Sequence, residues 1–143
     1  MKYSLLEGFE KYDMLLAIAA IGDNKLIFVL DSGSTNNHIA SFVHKELEDL
    51  FTPVEQKTRV TGLEGKPKVY NNVTADVELG GFSSNTLFTV TDMDDVVKNI
   101  MDECHLQIHG ILGVPFLRDN NCTIDFGKME IDIAGPKQMK EAV

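Results

Sequence analysis

The stretch "FVLDSGSTNNH", residues 28–38 of this 143-residue sequence, joins an apolar run to a polar turn. Three apolar residues lead directly into Asp31, and hydroxyl-bearing and turn-forming residues follow it. The apolar run at residues 26–30 predicts a buried strand, because a half-exposed strand would alternate apolar and polar residues. A carboxylate at the end of a buried strand is costly unless it is hydrogen-bonded or neutralised. The residues after Asp31 are therefore expected to stabilise its charge.

The turn after Asp31 offers the hydrogen bonds that such a carboxylate needs. Gly33 permits a tight turn, so its backbone N–H can point back at the carboxylate. The hydroxyl groups of Ser32, Ser34 and Thr35 are further donors within local reach. The simpler interpretation of Asp-Ser-Gly is an Asx turn or a helix cap on a surface loop. The apolar strand before it and a second motif downstream favour a functional carboxylate with a fixed orientation.

Length, charge and cysteine content limit the kinds of protein that this chain can be. Its length predicts a single domain, and its formal net charge of −9 argues against nucleic acid and anionic membranes as partners. Cys104 and Cys122 are too few for a small disulfide scaffold, which favours a reduced, cytoplasmic setting. No segment has the pattern of a secretory signal or of a transmembrane helix, so we expect no membrane partner.

The hydrophobic pattern predicts mostly strands. Residues 22–25 lie between two apolar runs and predict a hairpin whose second strand delivers Asp31. Apolar and polar residues alternate over residues 73–79, which predicts a strand with one buried face. A turn is expected at Gly80-Gly81, and further strands are expected at residues 87–91, 122–126 and 129–133. The buried face of the alternating strand is formed by Val73, Ala75, Val77 and Leu79.

Two helices are predicted between these strands. Apolar residues recur at helical spacing over residues 39–50, and Asn36 or Asn37 can cap that helix. Residues 92–105 predict a second helix, whose acidic start suits the positive end of a helix dipole. The polar tail at residues 134–143 is expected to be loose. No repeat or linker interrupts the sequence, so residues 1–143 are interpreted as one domain with its core at about residues 15–133.

The second motif is His109-Gly110-Ile111-Leu112-Gly113. A buried strand, Asp31-Ser32-Gly33-Ser34, a glycine-tipped hairpin, and then this motif before a short helix together resemble a retropepsin-like aspartic protease subunit. The resemblance extends over about residues 15–133, and the run GILGVPFL with a final hairpin is typical of bacterial members. It implies a mainly β fold, a closed β-barrel of the acid protease type with two or three short helices.

The resemblance also implies an activity and a partner. Members of this family build one active site from two Asp-[Ser/Thr]-Gly loops, and this chain has one. It therefore implies a homodimer, in which Asp31 of each subunit faces its mate across a two-fold axis. The paired carboxylates would share one proton and activate a water molecule to hydrolyse a peptide bond in a peptide or protein substrate. No metal or other cofactor is needed.

Further roles follow from the resemblance by position. Ser32 corresponds to a hydroxyl that bonds across the dimer, Gly33 to the glycine whose N–H supports the carboxylate, and Ser34 to the residue that closes the turn and contacts the outer carboxylate oxygen. The segment that packs beneath the catalytic loop corresponds to Ile111, Leu112 and Gly113, and Thr35 belongs to the loop itself. A substrate-covering flap corresponds to Gly62, Leu63, Glu64 and Gly65.

Two other functions are consistent with parts of the sequence. A non-catalytic retropepsin-like module would keep the fold and use it to hold a peptide or to dimerise. The intact Asp-Ser-Gly-Ser argues against it, because a binding role has no use for a costly paired carboxylate. Alternatively, a small monomeric β-barrel could bind a small molecule and use Asp31 only as a loop cap.

Two further motifs are interpreted as structural. Asp125-Phe126-Gly127 spells the metal-binding tripeptide of kinases, but the chain lacks the other kinase motifs, so a hairpin turn is expected. The cysteine and histidines at Cys104, His105 and His109, with His38 and His44 elsewhere, lack the paired spacing of a zinc site. No metal site is predicted.

Overall fold

The computed structural model describes residues 1–61 and 67–136. Within these residues there are ten strands, four α-helices and a 3-10 turn at Glu48–Leu50. The strands are β1 (Lys2–Ser4), β2 (Leu16–Ile21), β3 (Asn24–Leu30), β4 (His38–Ala40), β5 (Thr52–Thr61), β6 (Pro67–Leu79), β7 (Phe82–Thr91), β8 (Gly110–Leu112), β9 (Cys122–Asp125) and β10 (Glu130–Ile133). The helices are α1 (Leu6–Tyr12), α2 (Ser41–Glu46), α3 (Asp94–Cys104) and α4 (Val114–Asp119).

Six strands close into a barrel, which confirms the predicted fold class. They follow the order β2-β3-β8-β4-β7-β6, and β6 pairs back to β2 at Ala20 and Glu78. Strand β5 extends this sheet by pairing with the first half of β6, from Pro67 to Thr74. Four short helices surround the barrel, where two or three were expected. The sequence pattern did not reveal α1, because this seven-residue helix has no buried residue and so no apolar stripe.

The β2–β3 hairpin forms as predicted. Its turn contains Gly22, which has a φ of +60° that a residue with a Cβ rarely adopts. In β3, Leu26, Phe28 and Leu30 are buried, whereas Ile27 and Val29 are only half-buried. The expectation of a strand buried on both faces is therefore wrong for the outer face.

The helix predicted over residues 39–50 is wrong at its start. Ile39 and Ala40 belong to β4, which fills the space between β7 and β8 and is fully buried at these two positions. The helix α2 begins only at Ser41, and no side chain caps it. Strand pairing overrides the helical spacing here, because the barrel needs a strand between β7 and β8 in order to close.

The β6–β7 hairpin and the α3 helix agree with the sequence pattern. The alternating residues of β6 point into the core as expected, and Gly80 and Gly81 turn the chain with φ values of +55° and +94°. Helix α3 ends where His105 adopts a left-handed φ of 55°. Within this helix Val97 is buried, whereas Val96 is 50 % exposed.

A second sheet covers one end of the molecule. Its order is β1-β10-β9, so the first strand pairs with the last one, and Ile131 and Ile133 of β10 are buried. The predicted hairpin of β9 and β10 is confirmed. The backbone N–H groups of Ala134 and Gly135 donate to the carbonyls of Asn121 and Asn120, so the tail is held at its start. Residues 137–143 lie outside the described part of the chain.

In the described ranges, no helix combines the length and the apolar character needed to cross a membrane.

Candidate active site

Asp31 directly follows β3, at the point where the barrel strand ends. Its backbone N–H donates to the carbonyl of Leu112 at 3.0 Å, and its Oδ1 accepts from the N–H of Gly33 at 2.8 Å. This last bond is the one that the sequence led us to expect from Gly33. The side chain of Asp31 is exposed in the single chain, however, and not buried as its apolar strand suggested. The carboxylate is thus oriented by its own loop and open to a partner or a ligand.

The hydroxyl groups of the loop have other partners. Ser34 closes the turn, because its N–H donates to the carbonyl of Asp31 at 3.1 Å. Its hydroxyl donates to the carbonyl of Asn36 at 2.7 Å and does not bond the carboxylate. Thr35 accepts from the Asn36 amide through its hydroxyl oxygen at 3.3 Å. Within the described residues, the Gly33 N–H donates to the Asp31 carboxylate, and the hydroxyl groups of the loop do not.

The segment Ile111-Leu112-Gly113 lies beneath this loop, as the resemblance implies. Strand β8 runs parallel to β3, with Leu112 opposite Leu30, and Leu112 is completely buried. A Cβ on Gly113 would collide with the carbonyl oxygen of Asn36 and lie 2.7 Å from that of Ser34. Glycine is therefore required for the close approach of the two segments.

Asn37 connects the Asp31 loop to two other elements. The sequence predicted that it could cap the next helix, and this prediction is wrong. It is 4 % exposed, and its Oδ1 accepts from the N–H groups of Gly113 at 2.8 Å and Phe116 at 3.3 Å. Its Nδ2 donates to the carbonyl of Leu87 in β7 at 3.1 Å. Asn37 therefore caps α4, which is distant in sequence, and not the helix that follows it. Two adjacent asparagines indicated a cap, but local sequence could not show which helix receives it.

His38 is near enough to Asp31 for the charge of Asp31 to act on its ring. Its Nδ1 lies 2.8 Å from the hydroxyl oxygen of Thr91, which itself donates to the carbonyl of Thr89 at 3.3 Å. Burial lowers the pKa of His38, and the charge of Asp31 opposes this shift. His38 is consequently neutral near pH 7 and adds no cation beside Asp31.

The predicted flap, Gly62-Leu63-Glu64-Gly65, lies outside the described residues. The strands on either side are described: β5 and β6 pair antiparallel up to Thr61 opposite Pro67. A hairpin therefore leads to the predicted tip, and the flap itself stays a prediction.

The kinase-like tripeptide and the cysteine and histidine residues were both interpreted as structural. The Asp125-Phe126-Gly127 tripeptide forms the β9–β10 turn, where the Lys128 N–H donates to Asp125 Oδ1 at 3.0 Å, so the hairpin interpretation is confirmed. Across residues 1–61 and 67–136, no three His, Cys, Asp or Glu side chains come together as metal ligands. Cys122 is half-buried, and burial raises its pKa to about 11.

An apolar cavity opens beside the Asp31 loop. It has a volume of about 290 Å³, and exposed Ser32 forms part of its wall. Phe126, at the tip of the β9–β10 turn, also lines it and is 65 % exposed. In the part of the chain that the structure describes, no strand pairs with the outer edge of β9. The remaining lining residues are Leu15, Leu30, Leu117, Cys122 and Ile124.

Comparison with known proteins agrees with this geometry. A family model described as aspartyl protease matches residues 17–116, a span that contains both Asp31 and Ile111-Leu112-Gly113. Among solved structures, the chain is similar to the retroviral protease-like domain of Ddi1 from Leishmania major. That match has a TM-score of 0.52 and 17 % sequence identity, and it covers 84 % of this chain and 92 % of the other. No curated protein matches. At this identity the structural match shows a retropepsin-like fold.

Proposed function

This chain belongs to the aspartyl protease family, and from that premise we propose that it is an aspartic endopeptidase that acts as a homodimer. The observation that carries the proposal is the Asp31 carboxylate, exposed at the end of β3 with its Oδ1 fixed by the Gly33 N–H. An accessible carboxylate of fixed orientation is what a shared carboxyl pair requires. Cleavage of unstructured peptides by wild type and by Asp31→Asn tests the proposal.

The proposed mechanism needs one Asp31 from each subunit. Two carboxylates about 3 Å apart cannot both ionise easily and therefore share one proton. The ionised carboxylate takes a proton from a water molecule, whose oxygen attacks the carbonyl carbon of the substrate. The protonated carboxyl gives its proton to the carbonyl oxygen. The tetrahedral intermediate then collapses, the C–N bond breaks, and the amine nitrogen leaves with a proton returned by the pair.

The dimer is supported by the apolar cavity beside Ser32. Ser32 belongs to the Asp31 loop and also to the wall of the cavity, so a partner whose own Asp31 lies next to this one would pack close to the cavity. Phe126 would then be buried against the partner, which is favourable for a large apolar side chain that is 65 % exposed in the single chain. Cys122 and Ile124 of β9, which is an edge strand within the described residues, line the same cavity.

We expect Phe126→Ser to weaken the dimer by at least about tenfold in dissociation constant, because burying an aromatic ring at an interface commonly contributes more than about 1.4 kcal/mol. Analytical ultracentrifugation across a concentration series measures this constant. Phe9→Ser is the matched control, since Phe9 is 41 % exposed on α1 and does not line this cavity. Equal dimerisation of both variants and wild type would show that this surface is not the interface.

The alternatives differ in what they predict. A non-catalytic module of the same fold predicts a dimer without cleavage. The family match over residues 17–116 contradicts the alternative of an unrelated barrel that binds a small molecule. A cytoplasmic location and the flap over the substrate remain predictions that accompany the proposed function.

A further inference from the structure

His109 links three elements of the barrel through its backbone and its side chain. Its N–H donates to the carbonyl of Ile27 at 2.8 Å, and its carbonyl accepts from the N–H of Ala40 at 2.9 Å. Its ring nitrogen Nδ1 also accepts from the N–H of Ile27 at 2.9 Å. Both polar backbone groups of Ile27, which lies in β3, are therefore bonded to a single residue just before β8.

The strand pair that begins at His109 leads directly to Asp31. Strand β8 has only three residues, and it pairs in parallel with Phe28, Val29 and Leu30. The next bond in the same direction runs from the Asp31 N–H to Leu112. A pair this short has few hydrogen bonds, so the bond to the His109 ring is a substantial part of what holds the two strands in register.

The ring can accept this bond only while it is neutral. With Nδ1 as the acceptor, the ring proton is on Nε2, and an imidazolium has no acceptor left for Ile27. His109 also lines a cavity of about 380 Å³ on the outside of the barrel, together with the charged residues Asp23, Lys25 and Glu46. Burial lowers the pKa of His109, and the charge of Glu46 opposes that shift.

Neutral His109 stabilises the folded state, so this stabilisation depends on pH. The folded state holds His109 neutral, and its pKa lies below the value in the unfolded chain, so its stabilising contribution is complete above the ordinary histidine pKa of about 6.5. That contribution is lost as the pH falls through the lowered pKa that His109 has in the folded state. The protonated ring also places an N–H against the N–H of Ile27, and this repulsion destabilises the strand pair further.

We propose that His109 is a positioning residue that makes the support of Asp31 sensitive to acid: protonation of its ring releases the Ile27 N–H and loosens the β3–β8 pair. The effect on cleavage rests on the proposed function of Asp31, whereas the release of Ile27 does not. An aspartic endopeptidase of this design loses activity on the acid side because of a histidine that bonds Ile27, four residues before Asp31, in addition to the titration of the carboxyl pair itself.

Two substitutions at His109 distinguish the loss of the hydrogen-bond acceptor for Ile27 from the gain of a positive charge on the ring. His109→Asn places an amide oxygen the same number of bonds from Cα as Nδ1, and it does not titrate between pH 4 and 7. His109→Gln places its oxygen one bond further out, where it matches Nε2. His44→Asn is the control, because His44 is half-buried against Phe51 and makes no recorded bond to Ile27.

The measurement is amide hydrogen exchange at Ile27 by NMR, corrected for intrinsic exchange, at pH 7 and at an acid pH where the His109 ring resonances show the ring to be protonated. In wild type and His44→Asn, we expect Ile27 to lose about tenfold or more of its protection at the acid pH, the effect of one lost hydrogen bond. In His109→Asn protection should be the same at both pH values, and in His109→Gln it should be low at both. Unchanged protection in wild type, while the His109 ring resonances show that it has become protonated, would overturn the proposal.

Peptide cleavage adds a second readout. If the chain cleaves peptides, the acid limb of the rate profile should move to lower pH in His109→Asn and stay unchanged in His44→Asn. An unmoved acid limb in His109→Asn would overturn the role of His109 in positioning Asp31. If no variant cleaves any peptide, the proposed function fails, and the Ile27 exchange still decides whether His109 releases the strand.

Discussion

Replacing Asp31 by asparagine is expected to lower peptide cleavage by at least about a thousandfold, because an amide cannot act as a general base or share a proton. Asparagine has nearly the same shape, and its oxygen can still accept from the Gly33 N–H, so the loop should keep its conformation. Cleavage of an unstructured peptide library, followed by mass spectrometry across about pH 4 to 7, measures the loss and reports the specificity.

The matched control for this experiment is Asp76→Asn. Asp76 is an exposed carboxylate on β6 that accepts from Asn85 at 2.9 Å, so the substitution removes an equal charge far along the chain from the Asp31 loop. Its activity should equal that of wild type. Equal cleavage by the Asp31 and Asp76 variants would mean that Asp31 is not catalytic. No cleavage by wild type, despite a dimer in solution, would favour the non-catalytic peptide-holding module.

The Asn37→Ala substitution is expected to lower the free energy of unfolding by more than about 3 kcal/mol, because it removes three hydrogen bonds at a buried position. The N–H groups of Gly113 and Phe116 and the carbonyl of Leu87 would all lose their partner. Each unsatisfied buried group costs about 1–3 kcal/mol. Urea unfolding followed by circular dichroism gives the change.

A surface asparagine provides the comparison for Asn37. Asn85→Ala removes one exposed hydrogen bond to Asp76, so its effect should stay below about 0.5 kcal/mol. A loss in Asn37→Ala no larger than that in Asn85→Ala would show that the three bonds do not stabilise the fold. Activity in Asn37→Ala should fall as well, because this side chain joins the segment after Asp31 to Gly113.

Much of the chain could be predicted from local pattern. The β2–β3 hairpin, the alternating face of β6, the Gly80-Gly81 turn and the β9–β10 hairpin each depend on residues within about a dozen positions of one another. Short-range periodicity and turn chemistry determine such elements directly. The predictions failed where a distant partner decides the outcome: Ile39 and Ala40 form a strand because the barrel requires one there.

For the site, the sequence alone determined that a carboxylate follows an apolar strand, that Gly33 donates to it, and that Ile111-Leu112-Gly113 is a companion motif. These conclusions need only the identity of neighbouring residues and a family pattern. Three features depend on the folded chain: Asp31 is exposed, Asn37 caps α4, and His109 bonds both the N–H and the carbonyl of Ile27. The last two of these are hydrogen bonds between residues tens of positions apart, and such bonds depend on which strands meet in the closed barrel.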